Sequence, residues 1–371
     1  MDAAELASMG RQVLWATFGL SVLFGAITHR THFCTMGAVS DIVNMGDWSR
    51  MRQWGLAVGV AMMGVGLLAF TGQIDVTKTL YASNRWFWLS AAVGGLMFGF
   101  GMVLASGCGS KTLVRIGGGS LKSVVVFLVA GMAAFATMKG ITAVVRVATV
   151  DTVTVEMATG ASLPAVLSSV MGLQTGVASL VAGLVLGLAV AVWAMMGAEF
   201  RNPSNLLAGL GVGGVIVAMW WVSGHLGYVS EHPETLQEAF VATNSGRAEA
   251  LSFMAPLAYT LDWLLFFSDK SKVLTLGIVS VAGVILGAAG SALTEGSFRW
   301  EGFGSAEDVG NHLVGGLLMG VGGVTAMGCT VGQGLSGIST LSLTSFVAVA
   351  AIITGAVMAL RYQVWRLERM E

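Results

Sequence analysis

GGLMFGFGMVLASGCGSK, Gly94 to Lys111, is written again as GGLLMGVGGVTAMGCTVG, Gly315 to Gly332. At the fixed offset of 221 that separates Cys108 from Cys329, Gly95 falls on Gly316, Gly99 on Gly320, Gly101 on Gly322, Ala105 on Ala326 and Gly107 on Gly328. Each copy reads as an apolar, small-residue helix running into a Gly-Cys turn. The chain therefore carries an internal repeat, and the repeat puts two of its three cysteines at equivalent places.

Composition around the repeat sets the class. With 55% hydrophobic and only 11% charged residues in a chain of 371, there are too few charges to cover a soluble globule. The reading is an all-α polytopic membrane protein. Apolar runs of the length needed to cross a ~30 Å hydrocarbon core number about nine, near 12–28, 51–71, 86–106, 120–140, 174–196, 204–224, 273–293, 309–327 and 341–362. A net charge of −1 without a basic patch gives no reason to expect nucleic acid. The segment Ser252–Phe267 is too interrupted for a span and reads as a re-entrant or interfacial helix.

The span ending at Cys108 is the third and the one ending at Cys329 the eighth. Five spans apart is an odd step, so the two copies point in opposite directions. Such an inverted-topology repeat builds a path near the bilayer midplane from broken helices. The expected organisation is a first repeat half over 1–140, connecting spans and polar extracytoplasmic segments over 141–250, and a second half over 251–371. Arg30, Arg50, Arg52, Lys111, Arg115, Lys122 and the basic tail gather on one side. By the excess of basic residues on cytoplasmic loops, the N-terminus is expected in the periplasm and the C-terminus in the cytoplasm.

The chemistry starts with the thiols. No CxxC or Cys/His cluster occurs, so no metal or cofactor is expected. A lone cysteine in a membrane helix is usually a small buried hydrophobe. That reading weakens for Cys108 and Cys329, which stand at the same point of both repeats, each at a glycine-flanked break. Cys34, in RTHFC, has no repeat mate by simple alignment. A helix break offers free backbone N–H groups and a positive dipole end, which favour an anion. A thiol is a weak donor and a soft partner, so an anion bearing a soft sulfur atom satisfies both halves of such a site. Gly107, Gly109, Gly328, Ser106, Ser110, Thr330 and Gln333 surround the breaks, and Arg30 stands four residues before Cys34, where it could draw an anion to the mouth.

RTHFC, ASGCGSKTLVR and AMGCTVGQG together resemble the YeeE/YedE family of inner-membrane thiosulfate transporters, over nearly the whole chain. The resemblance implies uptake of thiosulfate across the bacterial inner membrane, with Cys34, Cys108 and Cys329 lining a central path and making transient S–H contacts to sulfur. It also implies a cytoplasmic sulfur-carrier or sulfurtransferase protein as a partner. Two alternatives stay open: a membrane sulfurtransferase that forms a cysteine persulfide, and transport of another sulfur or selenium compound. GGGSLK at Gly117–Lys122 lacks the spacing of a phosphate-binding loop, so ATP is not expected to drive the process.

Overall fold

The computed structural model describes residues 3–233 and 235–369. Its helices are α1 (Ala3–Arg30), α2 (Thr35–Met45), α3 (Ser49–Phe70), α4 (Trp88–Leu104), α5 (Gly109–Gly117), α6 (Leu121–Lys139), α7 (Ile141–Ala148), α8 (Leu163–Met171) and α9 (Thr175–Met195). Next, α10 (Pro203–Leu206) and α11 (Val212–Trp221) run with two π-turns as one stretch to Leu226, followed by α12 (Met254–Leu265), α13 (Leu276–Thr294), α14 (Ala306–Thr325), a π-helical segment Gly332–Gly337 and α15 (Leu343–Glu368). Sheet among the described residues is confined to two small ribbons, Arg85–Trp86 with Val155–Glu156 and Tyr228–Val229 with Ala239–Phe240.

Eight helical stretches among the described residues are long and apolar enough to cross a membrane. The expected span 309–327 is helical as α14, but its first two turns carry Glu307, Asp308, Asn311 and His312, and it is not one of the eight. The acids find partners from elsewhere in the chain: Lys122 lies 3.0 Å from Asp308, and Arg366 lies 2.9 Å from Glu307.

Small residues face inward and large apolar ones outward. On α9, Ala178, Ala182, Gly183 and Gly187 are buried, while Val181, Val185, Leu188 and Val192 are exposed along one stripe. Water would penalise that stripe, whereas lipid does not, and small inner residues let helices approach closely. Close approach is visible where α3 meets α9: a Cβ on Gly59 would come 2.6 Å from the Gly187 carbonyl oxygen, and one on Gly187 2.7 Å from that of Gly59.

The same device joins the repeats. A Cβ on Gly94 would stand 2.7 Å from the Gly322 carbonyl oxygen, and one on Gly322 2.6 Å from that of Gly94. Helices α4 and α14 thus cross antiparallel about their own glycines, as a two-fold axis requires.

The ends confirm the inversion. Beyond α5 the chain emerges beside the α13–α14 connection, where the Arg299 N–H donates to the Gly118 carbonyl (3.2 Å) and the Leu121 N–H to that of Glu301 (2.9 Å). Beyond the π-helical segment it emerges at the opposite end, where the Leu343 N–H donates to the Ala161 carbonyl (3.0 Å) and the Ala161 N–H to that of Ser83 (2.8 Å).

Candidate functional site

Four short segments begin in the buried centre. Three start at cysteines: Cys34 caps α2, Cys108 caps α5, and Cys329 opens the turn into Gly332–Gly337. At Cys34 and Cys329 the sulfur accepts a hydrogen bond from the backbone N–H three residues on. The Gly37 and Gly332 N–H groups donate over 3.4 Å, whereas the Cys108 sulfur meets Ser110 Oγ at 3.3 Å. A thiol thereby occupies the place where serine or threonine ordinarily caps a helix.

The fourth segment is α12, capped by Phe253 with Met254 next. Phe253, Met254 and Leu257 are buried, whereas Leu264 and Leu265 at its far end are exposed, so α12 enters and ends like the re-entrant helix its sequence suggested. It closes on the other three. The Met254 Cε would lie 2.5 Å from a Cβ on Gly109, the Ser252 Oγ 2.5 Å from one on Gly332, and Cys329 meets the Phe253 backbone. The sequence reading gave Cys34 no repeat mate; from the second half, Phe253 and Met254 come against Cys329 and Gly109.

The three turns share a further property. His32, Ser106 and Met327, each two residues before its cysteine, have φ of 52°, 55° and 59°. The Ser106 and Met327 turns are helix terminators in which the Gly107 N–H reaches back to the Met102 carbonyl, and the Gly328 N–H to that of Gly323, both at 2.8 Å. Glycine normally fills the left-handed position. A side chain there costs about 1–3 kcal/mol, and such strain concentrates at functional sites.

The thiols are buried together. Cys34 and Cys108 interact side chain to side chain, Cys329 lies within electrostatic reach of Cys108, and Ser110 Oγ is 3.3 Å from the Cys108 sulfur. Thr330 faces Cys108, yet its buried hydroxyl has no hydrogen-bond partner. Ser106 offers its carbonyl to Arg115 (2.9 Å).

Other expected residues sit differently. Gln333 is consumed structurally: its amide donates to the Ala326 carbonyl (2.6 Å) and its oxygen accepts from Ser345 (2.5 Å), pinning the turn to α15. Arg30 is 73% exposed and 3.9 Å from Glu295, while the cation whose field reaches Cys34 is Lys111. Gly107 and Gly328 are less confined than Gly109 and Gly332. A Cβ on Gly107 meets only the Lys111 stem, at 3.1 Å, and one on Gly328 meets Gln333 at 3.1 Å.

A vestibule of about 610 Å³ opens near Ala161 and Ser162, bordered by Arg247, hydroxyl side chains, Tyr81, Met327 and Thr340. Tyr81 and Arg247 carry no motif, and only their place beside the Cys329 turn marks them. A second cavity of about 230 Å³ lies alongside, bordered by Gly328, Ser252, Tyr259 and the buried Glu249.

An outward apolar face, opposed broken helices meeting at a buried centre, and a solvent vestibule on one side of that centre define a membrane transport protein. The Sulphur transport family model matches residues 30–358, and the chain belongs to that family. It is similar to the thiosulfate transporter TsuA of Escherichia coli K12, 25% identical over 90% of both chains. It is likewise similar to the thiosulfate transporter TsuA of Spirochaeta thermophila, 26% identical over 92% of this chain and 97% of that one. A shorter likeness, 29% over 30% of this chain and 26% of the relative, links it to the probable transporter YedE of Escherichia coli K12.

Proposed function

We propose that this protein takes up thiosulfate across the bacterial inner membrane along a path past Cys329, Cys108 and Cys34. The observation that carries the reading is the gathering of three buried thiols, each at the start of a short helical segment where the helix breaks. The N–H groups and the buried Thr330 hydroxyl hold the oxyanion end. Neutral S–H groups donate in turn to the terminal sulfur, and a soft contact that forms weakly also breaks quickly, as passage demands.

The direction runs from the vestibule beside Ala161, on the periplasmic side with the N-terminus, toward Lys111 and the cytoplasmic C-terminus. There a small sulfur-carrier or sulfurtransferase protein receives the sulfur. Gly107, Gly109 and Gly328 keep the turns open, Ser106 and Ser110 line the Cys108 turn, and Gln333 holds the Cys329 turn in register. Arg30 contributes positive charge at the exit.

The test is uptake of radiolabelled thiosulfate by a bacterial strain lacking its other sulfate and thiosulfate importers, with growth on thiosulfate as sole sulfur source. Cys108→Ala and Cys329→Ala should each abolish uptake at unchanged expression, and Cys34→Ala should reduce it. Serine at any of the three should rescue little, because a hydroxyl matches sulfur poorly. Full uptake in the Cys108→Ala or Cys329→Ala variant removes the thiol path.

A further inference from the structure

Tyr81 lies in the connection between α3 and α4 and forms part of the vestibule wall, yet only 6% of it is exposed. Its ring is held edge-on against Trp220, centroids 6.2 Å apart, and the Trp220 indole N–H donates to Ser339 (3.0 Å). The Ser342 hydroxyl reaches the Tyr81 carbonyl at 3.4 Å. Ring and backbone are therefore fixed by the segment that follows Cys329. The phenol oxygen, in contrast, has no hydrogen-bond partner although it is buried.

That oxygen points at the site. It would lie 3.3 Å from a Cβ on Gly332, the residue whose N–H donates to the Cys329 sulfur, and it is within electrostatic reach of Cys329. Leaving a buried hydroxyl unsatisfied costs about 1–3 kcal/mol. A native fold retains such a group where something transient satisfies it. Thr330, the next residue after Cys329, carries a second buried hydroxyl in the same condition. The Tyr81 hydroxyl thus stands unsatisfied beside Cys329 at the vestibule wall, and the Thr330 hydroxyl lies toward Cys108.

We propose that Tyr81 is the oxygen-binding residue of an outer loading site: its phenol donates to an oxyanion oxygen of the dianion arriving from the vestibule, while Cys329 receives the sulfur. This rests on the thiosulfate reading above. Arg247 at the vestibule wall draws the anion in, its guanidinium being anchored on the Thr79 (3.4 Å) and Ala82 (2.5 Å) carbonyls. A dianion carrying both oxygen and sulfur satisfies the site at both ends, which gives Tyr81 a part in substrate selection.

The experiment is thiosulfate uptake by purified protein in proteoliposomes, comparing wild type with Tyr81→Phe, which keeps the ring and removes the donor. Losing a hydrogen bond to a charged group should raise KM roughly 10- to 100-fold, with the maximal rate within about threefold and a melting temperature no lower than that of wild type. An unaltered KM in Tyr81→Phe beside an active wild type overturns this inference alone. Wild-type protein that moves no thiosulfate overturns the transport reading and this inference with it. Should Tyr81→Phe not fold, 3-fluorotyrosine at position 81 preserves the shape and strengthens the donor: a shifted KM supports the assignment, and an unshifted one overturns it.

Discussion

Gly101 and Gly315 exclude side chains from each other: a Cβ on Gly101 would stand 2.7 Å from the Gly315 carbonyl oxygen, and one on Gly315 2.7 Å from that of Gly101. The repeat offset exchanges this pair with Gly322 and Gly94, which approach in the same way. Two reciprocal contacts thus set the distance between α4 and α14, and with it the separation of the Cys108 and Cys329 turns at their ends.

Gly101→Val and Gly315→Val should each cost about 1–3 kcal/mol by overpacking against backbone that cannot yield. Gly310→Val, on the same α14 but with open space at its Cβ, should be mild. Melting temperatures in detergent decide it, and equal losses at all three positions would mean that the crossing is not the constraint.

At the turns, Gly109→Ala and Gly332→Ala should lose most thiosulfate uptake at normal expression. Their methyl groups would run into Met254 and Ser252, both 2.5 Å away, in the centre of the four segments. Gly107→Ala should keep most of it, since only the flexible Lys111 stem must move. The reverse order would show that the path runs past Gly107 instead.

Glu249 supplies a pH signature. Burial pushes its carboxyl above the usual carboxylate range, against the stabilising Ser245 N–H at 2.8 Å. The folded state therefore holds this proton more tightly than the unfolded chain, whose glutamates titrate near ~4.3. Its contribution to stability is complete below that value, falls as pH rises toward the raised folded value, and then levels off. Glu249→Gln, which still accepts from Ser245, should flatten the dependence and melt higher at neutral pH. Parallel melting curves for variant and wild type across that window would contradict the assignment.

Topology can be read with single cysteines in a cysteine-free background. Ser339 and Ser120 sit beyond the two turns but are both buried, so exposed Thr159 and Gly302 are the better reporters of their two ends. An impermeant thiol reagent should label position 159 in intact cells and position 302 only after the membrane is opened. Labelling of both from outside would overturn the assigned orientation and the inversion together.

Much of this was legible in the sequence because it is local or repetitive. Apolar run length identifies the spans, glycine beside cysteine marks the breaks, and the parity of the intervening spans gives the inversion. The short Met254–Leu265 helix likewise falls in a stretch of broken hydropathy.

Helix α14, read as the span 309–327, opens on acids that Lys122 and Arg366 from distant parts of the chain pair with, while its His312 pairs with Asp308 one turn back. The tertiary structure alone decided that Cys34 meets Cys108, that Phe253 and Met254 enter beside them, that Gln333 is used structurally and where Tyr81 lies. Each depends on which buried groups find partners once four separate segments converge. Hydrogen-bond satisfaction in a closed centre is a property of the assembled contacts, and no single stretch of the chain contains it.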